Sequence, residues 1–511
     1  MSVTDRPADP VGSGAVSSGT VSSDTAQDFA PGLERLFEGV PETGDYRIPA
    51  AAIEGELPAF LRGTYYVNGP ARFARGEVRY RHWLDGDGMV CALTIGDAGD
   101  ADGEGGGARF VNRFVESHKW REEEAAGRAL YRTFGTRFPG DTLVRGIALA
   151  SPVNVSVYEW NGKLLAFGEQ GLPWELDRST LETLGEFNFG RRLNPVSPFS
   201  AHPHFDPGSG EMFNFGVSFA ARRPTLTLYR FSPEGDLELR RRHDLDHPRS
   251  VHDFALSEHY AVFYLSPYVF DMEAFMEEGA TLVDGLAWRP ELGSRLRVFD
   301  RGTGDEVADV AIGDKYCLHL VNAFEREDGK LVLDVVELEE PVYPDYHPLE
   351  ELFLDVEPGQ PVRRVVDLDA GEVVERRELP YRETCDFPNV GPDKVGRPYE
   401  NFWMLGMSKS GERGRKFFDR LVHCRWAEGG GTTHWQAPAG RYLGGEPVFV
   451  PDPAGEGGAG AVICQEYDGV SDEGAFLVFD AQDVAAGPLA RVPLRAPVPL
   501  LFHASFETAG E

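Results

Sequence analysis

The sequence predicts an all-β chain folded as a seven-bladed β-propeller, with a partly helical dome over one face. Strand-like apolar runs separated by Gly, Pro, Asp and Asn fill most of the 511 residues, and long helical periodicities are scarce. An apolar run, a polar turn and a second apolar run recur at intervals of about one blade. Such pairs begin at Tyr80, Pro173, Leu226, Leu296, Val362, Leu421 and Phe476. Each reads as two adjacent strands of one blade. Turns of the D-x-x-T/A-G kind also occur in generic hairpins, but their regular spacing here favours the propeller.

Along the chain, residues 1–28 are small and polar and cannot bury a core, so they are expected to form a disordered tail. A short helical pattern over Asp28–Val40 opens the folded part. No interdomain linker follows, so residues 29–511 are expected to form a single propeller domain. One segment breaks the β pattern. "SPYVFDMEAFMEEGATLVDGLAWRPELG", from Ser266, is apolar and partly helical. It reads as an insertion between two blades, covering one propeller face. Its Tyr268, Val269, Phe270, Phe275, Leu282 and Trp288 would be costly to leave in water.

Lys and Arg total 50 against 83 Asp and Glu, a formal net charge of -33. That balance excludes nucleic acid and anionic membrane as electrostatic partners. Any membrane contact is then weak, peripheral and made by apolar side chains. Cys91, Cys317, Cys385, Cys424 and Cys464 form no C-x-x-C pair, which argues against a disulfide scaffold and a thiolate zinc site. The N-terminus lacks a basic region followed by an apolar run, and no stretch is apolar enough to span a bilayer. The expected location is the cytoplasm.

A metal on a propeller axis takes one ligand from each of several blades, so its histidines lie tens of residues apart. Of 13 histidines, four sit at the edge of an apolar run, where a ring points inward. They are His202 in "SAHPHFDP", His252 in "SVHDFALSEHYAVFYL", His319 in "YCLHLVNAFE" and His503 in "LLFHASFE". Each alone is more simply a core or turn histidine. The other nine, among them His82, His204 and His423, have more polar neighbours and read as surface or structural.

The chain after about residue 30 resembles the carotenoid cleavage oxygenase family. The resemblance rests on motifs in order: "LPAFLRGTYYVNGPARF", "RHWLDGDGMV", "NGKLLAFGEQGLPWELDRSTLETLG", "AHPHFDPGSGE", "VHDFALSEHYAVF", "HLVNAFE", "CDFPNV", "GEPVFVP" and "FHASFE". It implies that His202, His252, His319 and His503 bind Fe(II). It further implies that Glu169, Asp386 and Glu446 accept the outer N–H of three ligand rings. The family usually has Glu where this chain has Asp386, so that bond is expected to be lengthened or bridged by water. Val155 stands where the family often has Thr, near an open iron position, and cannot hydrogen-bond there. The implied reaction is cleavage of a C=C bond of an apolar polyene by O2. The branch that cleaves hydroxylated stilbenes typically carries Lys immediately before the Glu of "AFGEQG"; this chain has Gly168, which favours a carotenoid or apocarotenoid. The competing readings are a lignostilbene or other phenolic alkene as substrate, and a non-oxygenase iron propeller.

Overall fold

Burial patterns along the strands set the architecture. Tyr316–Glu325 and Leu331–Leu338 are buried almost throughout, whereas Leu237–Asp244 and Glu372–Glu378 are largely exposed. The buried kind packs on both faces and lies near the axis; the exposed kind closes the rim of a blade. The computed structural model describes residues 27–96, 107–145, 148–169, 171–219, 223–276 and 280–509.

Seven antiparallel sheets of four or five strands ring one axis. Five consecutive four-stranded blades span residues 156–186, 204–244, 255–313, 316–378 and 384–436. The remaining two blades close the ring with strands from both ends of the chain. Ala504–Thr508 pairs with Gly63–Arg72 as the innermost strand of the first blade. Glu54–Gly55 pairs with Pro488–Pro493 on the rim of the last. The hairpins predicted from the seven sequence repeats are the outer strand pairs of the five four-stranded blades, and in the two five-stranded blades they lie just inside the rim strand.

One expectation needs correcting. The Ser266 insertion does not separate two blades. It joins Tyr260–Leu265 to Ser294–Asp300, the second and third strands of one blade. The predicted hairpin from Leu296 is that blade's outer pair, so the apolar run before the insertion belongs to the same sheet. Tyr268, Val269 and Phe270 are buried, forming a small hairpin with Leu286–Trp288, while Phe275, Leu282 and Trp288 are half-buried. The expected tail falls outside the described residues, except for its last two. Gln27 and Asp28 pair in parallel with Gly414 and Arg415. There Asp28 accepts two bonds from the Arg415 guanidinium, at 3.0 and 2.8 Å, which anchors the chain.

The dome is built from blade connections. It includes the helix His118–Ala126, the short helix Met272–Met276 and 3-10 turns at Trp83–Asp85, Tyr343–Tyr346 and Leu349–Glu351. Ser117 caps the longer helix and Gly127 ends it in a left-handed conformation. This helix is held to the first blade by buried charge. Lys119 donates to Asp87 at 2.7 Å and Glu123 at 2.9 Å, and Arg75 donates to the other oxygen of Asp87 at 2.6 Å. All four side chains are buried. Lys119→Met leaves two carboxylates short of a partner, so it is expected to destabilise the fold by about 3–5 kcal/mol. Urea unfolding reads the change; a loss under about 1 kcal/mol would mean that solvent reaches the network. Among the described residues no helix is long and apolar enough to cross a membrane.

Candidate metal centre

The four histidines singled out in the sequence meet on the propeller axis. Their candidate ligand nitrogens all lie within 4.8 Å of one another. His202 Nε2 is 2.9 Å from His252 Nε2, which is 3.1 Å from His319 Nε2. The His503 ring lies 4.5 Å from that of His202 and 4.7 Å from that of His319, between centroids. Each histidine sits in or just before the innermost strand of a different blade. Inner strands converge on the axis, so residues 50 or more positions apart become neighbours, as the long spacing required.

Three carboxylates stand behind three of the rings. Glu169 Oε1 is 3.1 Å from His252 Nδ1, Asp386 Oδ1 is 2.5 Å from His319 Nδ1, and Glu446 Oε2 is 3.2 Å from His503 Nδ1. The expected lengthening at Asp386 does not occur: its bond is direct and the shortest of the three. The backbone makes up for the missing methylene. The strand Thr384–Val390 is bulged between Asp386 and Asn389, and Phe387 takes a φ of 55°. Bulges recur in the inner strands beside His319, between Cys317 and Leu320, and beside Glu446, between Gly444 and Val448. A bulge re-aims a side chain that regular pleating would point into a blade interface. Glu446 is fixed further by Asn389 Nδ2 at 2.8 Å and by the Ala504 N–H at 3.3 Å.

The donor set fits a cation. With Nδ1–H given to a carboxylate, His252, His319 and His503 each present a bare Nε2 lone pair inward. Burial and the neighbouring rings of His252, His503 and His319 push His202 well below its ordinary pKa, so it stays neutral. Burial also lowers His503, against the pull of Glu446. For His319 burial works downward but the Asp386 charge outweighs it, and the net shift is upward. Burial would raise the Asp386 carboxyl, yet the facing His319 holds it below the usual carboxylate range. Lone pairs about 3 Å apart in a buried site repel unless a positive charge lies between them. Neutral imidazoles without thiolate suit iron, and also copper, nickel or zinc.

The two sides of the cluster differ in polarity. On the dome side, the Phe387 ring lies 5.7 Å from His319 and 5.1 Å from His503. Phe502 packs on Trp83 at 4.5 Å, and Phe134 on Tyr343 at 5.3 Å. On the other side, a cavity of about 370 Å³ runs along the axis, lined by the inner strands of all seven blades. His202, His319 and His503 reach it, beside Asp253, Asn389 and Glu446.

Val155 is buried in the interface between two blades; its carbonyl accepts the His503 N–H at 3.1 Å. Sequence reasoning missed Tyr343, whose hydroxyl lies 3.2 Å from His252 Nδ1. Of the two readings given for His82, surface or structural, the second is the one seen: the ring is fully buried and bonds to the Tyr343 carbonyl through Nε2 at 2.9 Å. The signal available was the aromatic run "YPDYHP", which interrupts the strand pattern.

Residues 37–508 match the family described as retinal pigment epithelial membrane protein. The apocarotenoid-15,15'-oxygenase of Synechocystis sp. is 30% identical over 520 residues, covering 96% of this chain and 99% of the relative. The lignostilbene-alpha,beta-dioxygenase isozyme III of Sphingomonas paucimobilis is 28% identical, covering 86% of this chain and 90% of the relative. The solved structure of a cobalt-substituted Synechocystis ACO superposes with a TM-score of 0.84 at 27% identity, covering 94% of this chain and 98% of that one.

Proposed function

The chain belongs to the carotenoid cleavage oxygenase family, and from that premise we propose that it is an Fe(II)-dependent dioxygenase splitting one C=C bond of a carotenoid or apocarotenoid into two carbonyl products. The observation that carries the reading is the convergence of His202, His252, His319 and His503, three of them backed by carboxylates, beneath an aromatic dome. Iron held there supplies the redox chemistry with O2. The protein's part is to bind, orient and exclude water. The four imidazoles hold the metal, and Glu169, Asp386 and Glu446 fix three rings and temper the charge. Val155, whose carbonyl accepts the His503 N–H, would offer a bound metal methyl groups alone. Phe387, Tyr343, Phe134 and Trp83 form an apolar ceiling suited to a conjugated chain.

Gly168 bears on the substrate class. A Cβ there would lie 2.4 Å from Ser151 Oγ and 2.9 Å from Val153 Cα. No lysine can project beside Glu169 to meet a phenolate, which supports a polyene over a phenolic alkene. Half-buried Phe275, Leu282 and Trp288 are the insertion's remaining means of weak contact with a lipid surface holding such a substrate.

The test is to incubate iron-loaded protein with a panel of carotenoids and apocarotenoids and, separately, hydroxylated stilbenes. Oxygen uptake is followed and the carbonyl products identified. Polyene cleavage to two carbonyls, with stilbenes left intact, is expected. Turnover of stilbenes alone would move the chain to the phenolic branch. A protein holding iron but consuming no O2 on any alkene would be a non-oxygenase propeller.

A further inference from the structure

We propose that Asp253 is a positioning residue that fixes the mutual spacing of His202, His252 and His319; the proposal rests on reading these histidines as metal ligands. Asp253 follows His252 directly in the chain and is buried. Its Oδ1 accepts the N–H of Phe254 at 2.8 Å and faces His204 Nε2 at 3.2 Å. Its Oδ2 accepts the N–H of Leu320 at 2.8 Å. His204 lies two residues after His202, and Leu320 one residue after His319. One carboxylate thus joins three neighbouring blades, each bond falling within two residues of a ligand.

The local backbone serves this arrangement. The strand Tyr316–Glu325 shifts register on both sides of Leu320, which turns its N–H toward Asp253. The His204 ring is packed edge-on against Phe254, 4.8 Å between centroids, so its Nε2 is aimed and not free to rotate. The fourth histidine has a separate anchor of the same design: Glu446 accepts from His503 Nδ1 and from the N–H of the next residue, Ala504. Around the ring the neutral link, Ser200 Oγ to the His252 carbonyl, is longer at 3.3 Å. A carboxylate offers an acceptor to every partner of the Asp253 position. With His204 in the tautomer protonated at Nε2, all three partners are donors, so an amide NH2 placed there would face N–H groups with no acceptor.

The test uses full-length, metal-loaded protein. Release of Fe(II) to a colorimetric chelator gives a dissociation rate, and the ligand-field absorption of the Co(II)-loaded form reports coordination geometry. Asp253→Asn is expected to speed release about 10- to 100-fold, in line with loss of an outer partner of a metal ligand, and to shift the Co(II) bands. His204→Ala cuts one of the three links and is expected to act in the same direction, less strongly. Asp334→Asn is the control: Asp334 is also buried and its backbone pairs with Asn322 in the His319 strand, but its side chain bonds Arg363 and Tyr399, neither of them within two residues of a metal-cluster histidine. It is expected to lower thermal stability while keeping the wild-type release rate and spectrum. Wild-type release and spectrum in Asp253→Asn would overturn the proposal, as would equal acceleration by Asp334→Asn. If Asp253→Asn does not fold, wild-type release from His204→Ala overturns it. Wild-type protein that takes up no metal would instead refute the ligand reading itself.

Discussion

Alanine at His319 is expected to abolish both activity and iron retention. The same holds for His202, His252 and His503. The effect should exceed the roughly 10- to 100-fold weakening that follows loss of an outer partner, because on the proposed ligation a bond to the metal itself is lost. At His319 the damage extends behind the ring. Asp386 would keep its charge in a buried site with only the Phe387 N–H at 2.8 Å as a hydrogen-bond donor. Metal content after gel filtration and O2 uptake with a polyene read the result. His423→Ala separates a metal effect from a packing effect. His423 is buried, lies against Trp403 at 5.3 Å and faces Asn401 Oδ1 through Nε2 at 2.9 Å, but it is not part of the cluster. Its loss should lower stability and leave iron content intact. Full activity in any of the four ligand variants would sink the assignment.

What the sequence disclosed depended on how local the information was. The outer hairpins were legible because each is a contiguous run, turn and run, with Asp-based turns such as Asp177 and Asp300 bonding their own backbone two and three residues on. The inner strands were harder to read. His204–Phe205 and Ala255–Leu256 are two residues long, and three others carry bulges that break the period of two. Yet these strands hold the site. The histidines could be picked out only by their place beside apolar runs and by the resemblance that their motifs carry. Asp253 and His204 were out of reach: in sequence Asp253 is simply the residue after a histidine, and its bonds to His204 and Leu320 exist only once three blades close around the axis. The insertion was misplaced for a related reason. Its apolar residues pointed to burial, which is correct for Tyr268, Val269 and Phe270, but composition does not reveal which sheet a segment interrupts.

Lengthening Asp386 to glutamate is expected to weaken iron binding about 10- to 100-fold, although Glu is the residue the family usually carries. From sequence alone the shorter side chain suggested a deficient bond that the longer one would restore. The geometry reverses that expectation. Asp386 Oδ1 already lies 2.5 Å from His319 Nδ1, and the same oxygen accepts the N–H of Phe387 at 2.8 Å. Both contacts depend on the bulge after Asp386 and on the left-handed conformation of Phe387. The Phe387 ring is in turn stacked on Phe502 at 6.1 Å and packed against His503 at 5.1 Å. An added methylene would drive the carboxylate into His319 or force Phe387 and its neighbours to shift, and overpacking of this kind costs about 1–3 kcal/mol. Asp386→Asn separates length from charge. It keeps the reach and an acceptor oxygen but loses the negative charge behind the ring, so it should weaken metal binding less than Asp386→Glu. Dissociation of Fe(II) to a chelator, compared across wild type and the two variants, decides the matter. Wild-type or tighter binding in Asp386→Glu would mean that the backbone around the bulge yields easily to the longer side chain.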